Sequence, residues 1–500
     1  MEDSLQRRYV IKLAANIISG AINILLIAIV PKALGPVAFG QFSYLQQFFS
    51  QVIAFIDGGT STAFFTKLSA NNNRKELISF YFILSVGLLA VLLFLFSVID
   101  LTGTTSYFLP DIPIDYLYLG LWFGFFTWFT QILVKIADAY ALTISVELIK
   151  IGHKVVMLGV LLYLVNSSVF NLTSYFYFHY LSLISFLVIV LVLFIKKEVI
   201  KRKILTLKVA YRHLTREMVK FSSHIFIFNI VAIAVSLFDI WLLQKTSGSV
   251  ETGFYGLAYS IAAICFLFTS AMTPLITREF SKAYGNAKLH QVRRLFKKYI
   301  PMLYSVAAYF GVFIALQSEN LLLTFTGEQF KGAYIALVIM AFYPLHQTYG
   351  QLNSALFFAT ENTQLYKKIG IMTSMVGLLF SLIFIYWLNL GAEGFAWKMV
   401  LIQIIGVNIQ LYFNARFLKL KLGPFIKHQL YSVVMLGAMA SIGLSLTPED
   451  LEPLSHILIS GAIYTLLVLV SAYLIPSLFM VKKTELKQFS HQLLIRFNRN

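Results

Sequence analysis

Two lysines, Lys150 and Lys154, stand four residues apart in VELIKIGHKVVMLGVLLYLV, residues 146–165, with Glu147 three residues before the first. On a helix this spacing puts both ammonium groups on one face, one turn apart. Such a face suits an anion such as a phosphate, which lysine meets as a mobile, strongly hydrated point charge. The competing reading is that the long lysine stems reach out to a membrane surface. Lys398 interrupts another apolar stretch, and Lys135 ends a third. Two acids are similarly out of place. Asp57 lies in an apolar segment just before Gly58 and Gly59, and Asp239 lies in a later segment. An ionisable group within hydrocarbon needs water or a partner, so each is a candidate for binding a coupling ion or for gating, with a structural ion pair as the alternative. His346 joins them as a candidate proton site, although a lone histidine is more often a hydrogen-bonded core residue.

Uncharged polar residues form stripes around these groups. Lys12, Asn16, Ser19 and Asn23 are spaced 4, 3 and 4, which is one helix face. Ser43, Gln46, Ser50, Asp57 and Ser61 mark a second, and Ser222, Asn229, Ser236 and Asp239 a third. Lipid does not tolerate such faces, so they turn toward other helices or toward water. Lys12, Asn16, Asn23, Lys150, Lys154 and Lys398 are therefore the candidate substrate-binding residues.

The elements that must carry these side chains are membrane helices. Of the 500 residues, 58% are apolar and only 12% charged. Apolar runs of about 18 residues or more recur throughout, each long enough to cross a bilayer core of roughly 30 Å. The pattern predicts an all-α, polytopic membrane protein with about fourteen spans, twelve or thirteen being the alternatives. The fifth span, 143–165, has a clean apolar run of only eleven residues from Val155 to Val165. To cross, it must take in Glu147, Lys150, His153 and Lys154.

Basic residues sort by loop. Residues 196–220 hold nine Lys/Arg, residues 278–298 seven and the tail from Lys482 five, whereas Asp100, Asp111, Asp115, Glu319, Glu328, Glu449, Asp450 and Glu452 gather in the alternate loops. This asymmetry predicts cytoplasmic termini and an even span number. It also assigns the net charge of +18 to topology and anionic lipid headgroups rather than to nucleic acid. The segment near 196–218 could be a basic helix lying on the inner surface. Cys265 is the only cysteine, which excludes an intrachain disulfide. No metal-ligand cluster, nucleophile elbow or phosphate loop is present in a plausible context, so a transporter is expected rather than an enzyme.

A shift of 213 positions superposes Gly35 on Gly248, Val37 on Val250, Gly40 on Gly253 and Asn16 on Asn229. The repeat predicts two six-helix lobes of like orientation plus a C-terminal helix pair. The expected parts are 1–218 (the first lobe with its basic linker), 219–418 (the second lobe) and 419–500 (the helix pair and basic tail).

An Asn-striped first helix, then LGPVAFGQFSYLQQF and the basic KLSANNNRKE, and later TPLITREFSKAYG, resembles the polysaccharide flippases of the MOP superfamily. Within it the pattern is similar to the Wzx-type O-antigen and exopolysaccharide repeat-unit transporters of bacteria. The resemblance implies a MATE-like, V-shaped pair of lobes in the bacterial plasma (inner) membrane. It implies alternating access that carries undecaprenyl-diphosphate-linked oligosaccharide from the cytoplasmic to the outer leaflet. It further implies a service to lipopolysaccharide assembly, coupling to a cation gradient (Na+ or H+), no other cofactor, and polysaccharide polymerase machinery as a partner. The family's cavities commonly use arginines where this chain offers lysines. A MATE-type cation-coupled multidrug exporter and a peptidoglycan-precursor (lipid II) flippase are the alternatives. Asp57 and Asp239 keep the first of these open.

Overall fold

The computed structural model describes residues 5–70, 74–167, 169–200 and 211–480. The side chains of Lys12 and Asn16 lie outside the described residues, as do much of the basic 196–218 segment and the tail. Every regular element among the described residues is helical. Packing divides the chain into two compact units, Met1–Gly256 with Leu378–Gly391, and Leu257–Gly377 with Ala392–Asn500. This division follows packing, whereas the expected boundary at residue 218 follows the repeat.

The first unit holds α1 (Leu5–Asp57), α2 (Thr60–Ala70), α3 (Lys75–Leu101), the short α4 (Thr105–Phe108), α5 (Asp115–Ala139), α6 (Thr143–Val165), α7 (Leu172–Lys196) and most of α8 (Tyr211–Ala262). The second holds α9 (Phe266–Gly285), α10 (Leu289–Leu316), α11 (Ser318–Thr326), α12 (Tyr334–Met340), α13 (Tyr343–Ala359), most of α14 (Thr363–Ser381), α15 (Gly391–Phe417), α16 (Gly423–Ser445) and α17 (Pro453–Leu474). Ten helical segments among the described residues are long and apolar enough to cross a membrane. Two of them, Ile17–Asp57 and Asn229–Cys265, run to 41 and 37 residues, about two crossings each. Each is bent by a glycine. Residues 331–358 read from the sequence as one span, the tenth, kinked at Pro344; they form two pieces, because the chain turns at Ala341–Phe342 between α12 and α13. Pro344 therefore does not kink a continuous helix; it occupies the first turn of α13, where its missing N–H has no partner to lose.

Helices α3, α7 and α17 present apolar side chains outward, among them Val86, Phe94, Leu181, Val188, Leu466 and Leu469. Such faces need lipid. Inside the first unit, Phe64, Leu77, Ile78, Tyr81, Leu133, Ile136, Val190 and Phe194 tie α2, α3, α5 and α7 together. In the second, α10 lies at the centre, packed by α9, α13 and α16.

The repeat reappears as backbone geometry. Gly35 has φ 76° and ψ 168°, and Gly248, its mate at the 213-residue shift, has φ 77° and ψ −175°. L side chains rarely adopt this left-handed turn, and glycine adopts it freely. The two following helix segments then cross in contact. A Cβ on Gly40 would collide with the carbonyl oxygen of Ser249, and one on Gly253 with the carbonyl oxygen of Pro36. Positions 36 and 249 are themselves mates, so the contact is reciprocal, as at a local two-fold axis. The connection between α3 and α5 straps this crossing. Trp241 donates to the Tyr107 carbonyl (2.7 Å), Tyr44 to Phe108 (2.6 Å), Gln244 to Pro110 (2.9 Å) and Gln41 to Asp111 (3.1 Å). The Asp111 carboxylate accepts the Ser249 N–H at 2.9 Å, capping that helix start.

Gly40→Val and Gly253→Val each force a side chain into a backbone carbonyl that cannot rotate away. Each is expected to cost more than the roughly 1–3 kcal/mol of ordinary overpacking. Thermal unfolding of the purified proteins in detergent should show a large loss of stability for both. Gly87→Ala, where an added Cβ meets nothing within 4 Å, should leave the transition in place.

Candidate functional site

The polar face of α1 ends at Asp57, where the helix breaks. Gly58 and Gly59 take φ of 53° and 81°, and α2 starts again at Thr60. Asp57 is 7% exposed and spans the break with its carboxylate. One oxygen accepts from the Thr60 hydroxyl (2.8 Å), the Ser61 backbone N–H (3.1 Å) and the Tyr81 hydroxyl of α3 (2.9 Å); the other accepts from the Ser61 hydroxyl at 2.9 Å. Lys135 of α5 donates to that same Ser61 hydroxyl at 2.9 Å. Four donors and a nearby ammonium thus compensate the buried charge, as burial demands.

Beside this cluster, α1, α2 and α5 enclose a pocket of about 370 Å³. Asp57, Ser61, Thr127 and Lys135 line it with Gln46, Ser50, Trp128 and Gln131. Gln46, Ser50 and Gln131 are exposed, although both helices are apolar enough to be membrane spans. Exposed carboxamides on membrane-spanning helices require water, in contrast to the apolar outward face of α3.

A second polar seam joins α1 to α6. Lys154 donates to the Asn23 side chain at 3.2 Å, and Lys150 lies 3.5 Å from the carboxylate of Glu147. The Glu147 side chain is 4% exposed and that of Lys150 35%. His153 hydrogen-bonds Ser185 of α7 at 2.8 Å. The expected substrate residues Asn23 and Lys154 are thus in contact, and Lys150 stands one turn away.

The remaining candidates stand elsewhere. Asp239 is buried in the first unit and accepts the Ser381 hydroxyl at 2.6 Å. Lys398 is buried in the second unit, its ammonium 5.4 Å from the ring centre of Phe395. His346 lies in an apolar groove of about 730 Å³ among Ile335, Val338, Trp397, Ile404 and Leu430. Its Nδ1 has no hydrogen-bond partner among the described residues, and its ring meets Tyr304 edge to face at 5.7 Å. Sequence reasoning singled out Lys135 but missed Tyr81 and the rest of the α5 face of the pocket. A signal existed for the latter: Thr127, Gln131 and Lys135 repeat every four residues, a stripe like those on α1.

A family model described as "Polysaccharide biosynthesis protein" matches residues 7–280, more than half of the chain. The chain belongs to this family. No curated protein matches it. Among solved structures, the lipid II flippase MurJ in an inward closed conformation is similar with a TM-score of 0.66 at 15% identity, over 93% of this chain and 98% of that one. An inward-facing multidrug resistance MATE family transporter of the MOP superfamily is similar with a TM-score of 0.61 at 17% identity, over 82% and 99%. A MOP superfamily transporter from Pyrococcus furiosus, titled for the reverse polarity of its binding pocket, gives 0.56 at 16% identity, over 84% and 97%. At these identities the likeness is one of fold, shared with a lipid II flippase and with transporters of the MOP superfamily.

The α1–α2 break gives a direct test. Asp57→Ala leaves Tyr81, Ser61 and Lys135 facing a void and should cost about 3–5 kcal/mol, the usual result of removing one side of a buried charge pair. Asp57→Asn keeps the shape and part of the bonding. Thermal unfolding should therefore place Asn between wild type and Ala.

Proposed function

We propose that the protein is a Wzx-type flippase. It moves undecaprenyl-diphosphate-linked oligosaccharide repeat units from the cytoplasmic to the outer leaflet of the bacterial plasma membrane by alternating access. The observation that carries this reading is the α6 seam. Two lysines one turn apart share one nearby carboxylate, Glu147, inside a helix apolar enough to span a membrane. The residual positive charge is matched to a diphosphate, which does not cross hydrocarbon unaided. Lys154 reaches α1 through Asn23, so the seam joins two helices and would feel their movement.

In this reading Lys12, Asn16, Asn23, Lys150, Lys154 and Lys398 contact the cargo, and Asp57, Asp239 and His346 serve coupling to Na+ or H+ or gating. The termini are cytoplasmic, the lipid tail stays in the bilayer, and delivery is to polysaccharide polymerase machinery for O-antigen and lipopolysaccharide. A multidrug exporter for cationic drugs is disfavoured because Asp57 already accepts four hydrogen bonds and has Lys135 beside it. A lipid II flippase remains the second reading, favoured by the likeness in fold to MurJ.

Lys150→Ala combined with Lys154→Ala should abolish translocation, lowering the initial rate at least about tenfold if each lysine contributes a charge-assisted contact. The measurement is protection of undecaprenyl-diphosphate-linked oligosaccharide in proteoliposomes, alongside surface polymer in cells. Wild-type rates from a well-expressed double variant would reduce the lysines to anchors. Loss of viability, rather than of surface polymer alone, on depleting the protein would favour the lipid II reading.

A further inference from the structure

We propose that the pocket between α1, α2 and α5 is a subsite for an uncharged sugar ring of the cargo, separate from the α6 lysines that take the diphosphate. This rests on the flippase reading and adds which part of the cargo goes where.

Charge comes first. The pocket contains one carboxylate, Asp57, and one ammonium, Lys135, linked through the Ser61 hydroxyl. Their charges offset each other, and the Asp57 carboxylate accepts three protein donors at one oxygen and one at the other. The pocket therefore has no net pull on a diphosphate. The α6 seam differs, with two lysines to one glutamate.

The rest of the lining offers what a sugar needs. Gln46 and Gln131 each present an amide donor and an acceptor, and Ser50 a hydroxyl. Thr127 and Trp128 line it as well, and the indole adds apolar surface of the kind on which a pyranose ring stacks. A polyol matches this mixture of donors and acceptors, and a purely apolar guest does not. The volume, about 370 Å³, is at the small end of ligand sites, which run from roughly 300 to 1,000 Å³. It has room for a ring or two and not for a whole lipid-linked repeat unit. The exposed positions of Gln46, Ser50 and Gln131 leave the mouth open.

The test uses the full-length protein in nanodiscs. Tryptophan fluorescence is titrated with a panel of neutral hexoses, 6-deoxyhexoses and N-acetylhexosamines, with pyrophosphate and with tetraphenylphosphonium. At least one neutral sugar should give a saturable change that is absent in Trp128→Phe. Its affinity should fall about tenfold in Gln46→Ala/Gln131→Ala, which removes two neutral hydrogen-bonding groups. It should be unchanged in Lys150→Ala/Lys154→Ala. No response to any neutral sugar, or a Trp128-dependent response only to pyrophosphate or tetraphenylphosphonium, overturns the proposal. Translocation separates the two claims. If Gln46→Ala/Gln131→Ala folds and carries lipid-linked oligosaccharide with an unchanged KM, the subsite is wrong and the flippase reading stands. If wild-type protein binds the sugar but translocates no lipid-linked oligosaccharide, the flippase reading falls and the sugar site stands.

Discussion

The first unit is organised around a contact in which two backbones touch. Gly40 lies against the Ser249 carbonyl, and Gly253 against the Pro36 carbonyl. Neither helix segment could come so close with a side chain at the crossing. The approach in turn requires that both segments begin with a left-handed residue, and Gly35 and Gly248 provide it. From that crossing the second half of α1 runs down to Asp57, carrying Ser43, Gln46 and Ser50 at a fixed height and rotation. The pocket is thus positioned in part by a backbone contact about two turns before its first lining residue, Gln46.

The crossing is symmetric in its backbone and asymmetric at its ends. Pro36 has no N–H and needs no acceptor, whereas its mate Ser249 has one and receives the Asp111 carboxylate. One step further along, the pair is Ser43 and Gly256, and a Cβ on Gly256 would stand 2.6 Å from the Ser43 hydroxyl. A repeat of this kind keeps the residues that backbone geometry demands and lets the others diverge. That explains why the two copies share only a few residues in the sequence.

The same distinction explains how much could be read from the sequence. Glycines at a constant offset, the break after Asp57, and the 143–165 helix with its lysines inside all follow from local chemistry, and the structure has them. Hydrophobic length also placed most helices, because crossing a bilayer leaves little latitude. What local chemistry does not contain is which face meets which. Asp57 could have met any cation, and it is Tyr81 and a Ser61-linked Lys135 that lie beside it. Asn23 and Lys154 were separate candidates on separate helices, and their contact is a tertiary fact. The division of the tenth span was hidden for a related reason. Pro344 suits the first turn of a helix as well as it suits a kink, and only the neighbouring turn at Ala341–Phe342 decides between them.

A carrier must also let go. A buried, fully matched ion pair with the cargo would hold it against release, because separating the partners leaves uncompensated charge in a poor solvent. In the first unit the deeply buried acids are already engaged by protein donors: Asp57 by four, Asp239 by the Ser381 hydroxyl among its contacts, and Glu147 by Lys150. The lysines of α6 are less buried, and Lys150 retains a third of its side-chain surface. In the proposed flippase, charge recognition would thus fall to groups that water can still reach, where contacts are weaker and reversible. Groups of the kind lining the pocket form neutral hydrogen bonds of roughly 1 kcal/mol each, which is enough to select among sugars and too little to trap one.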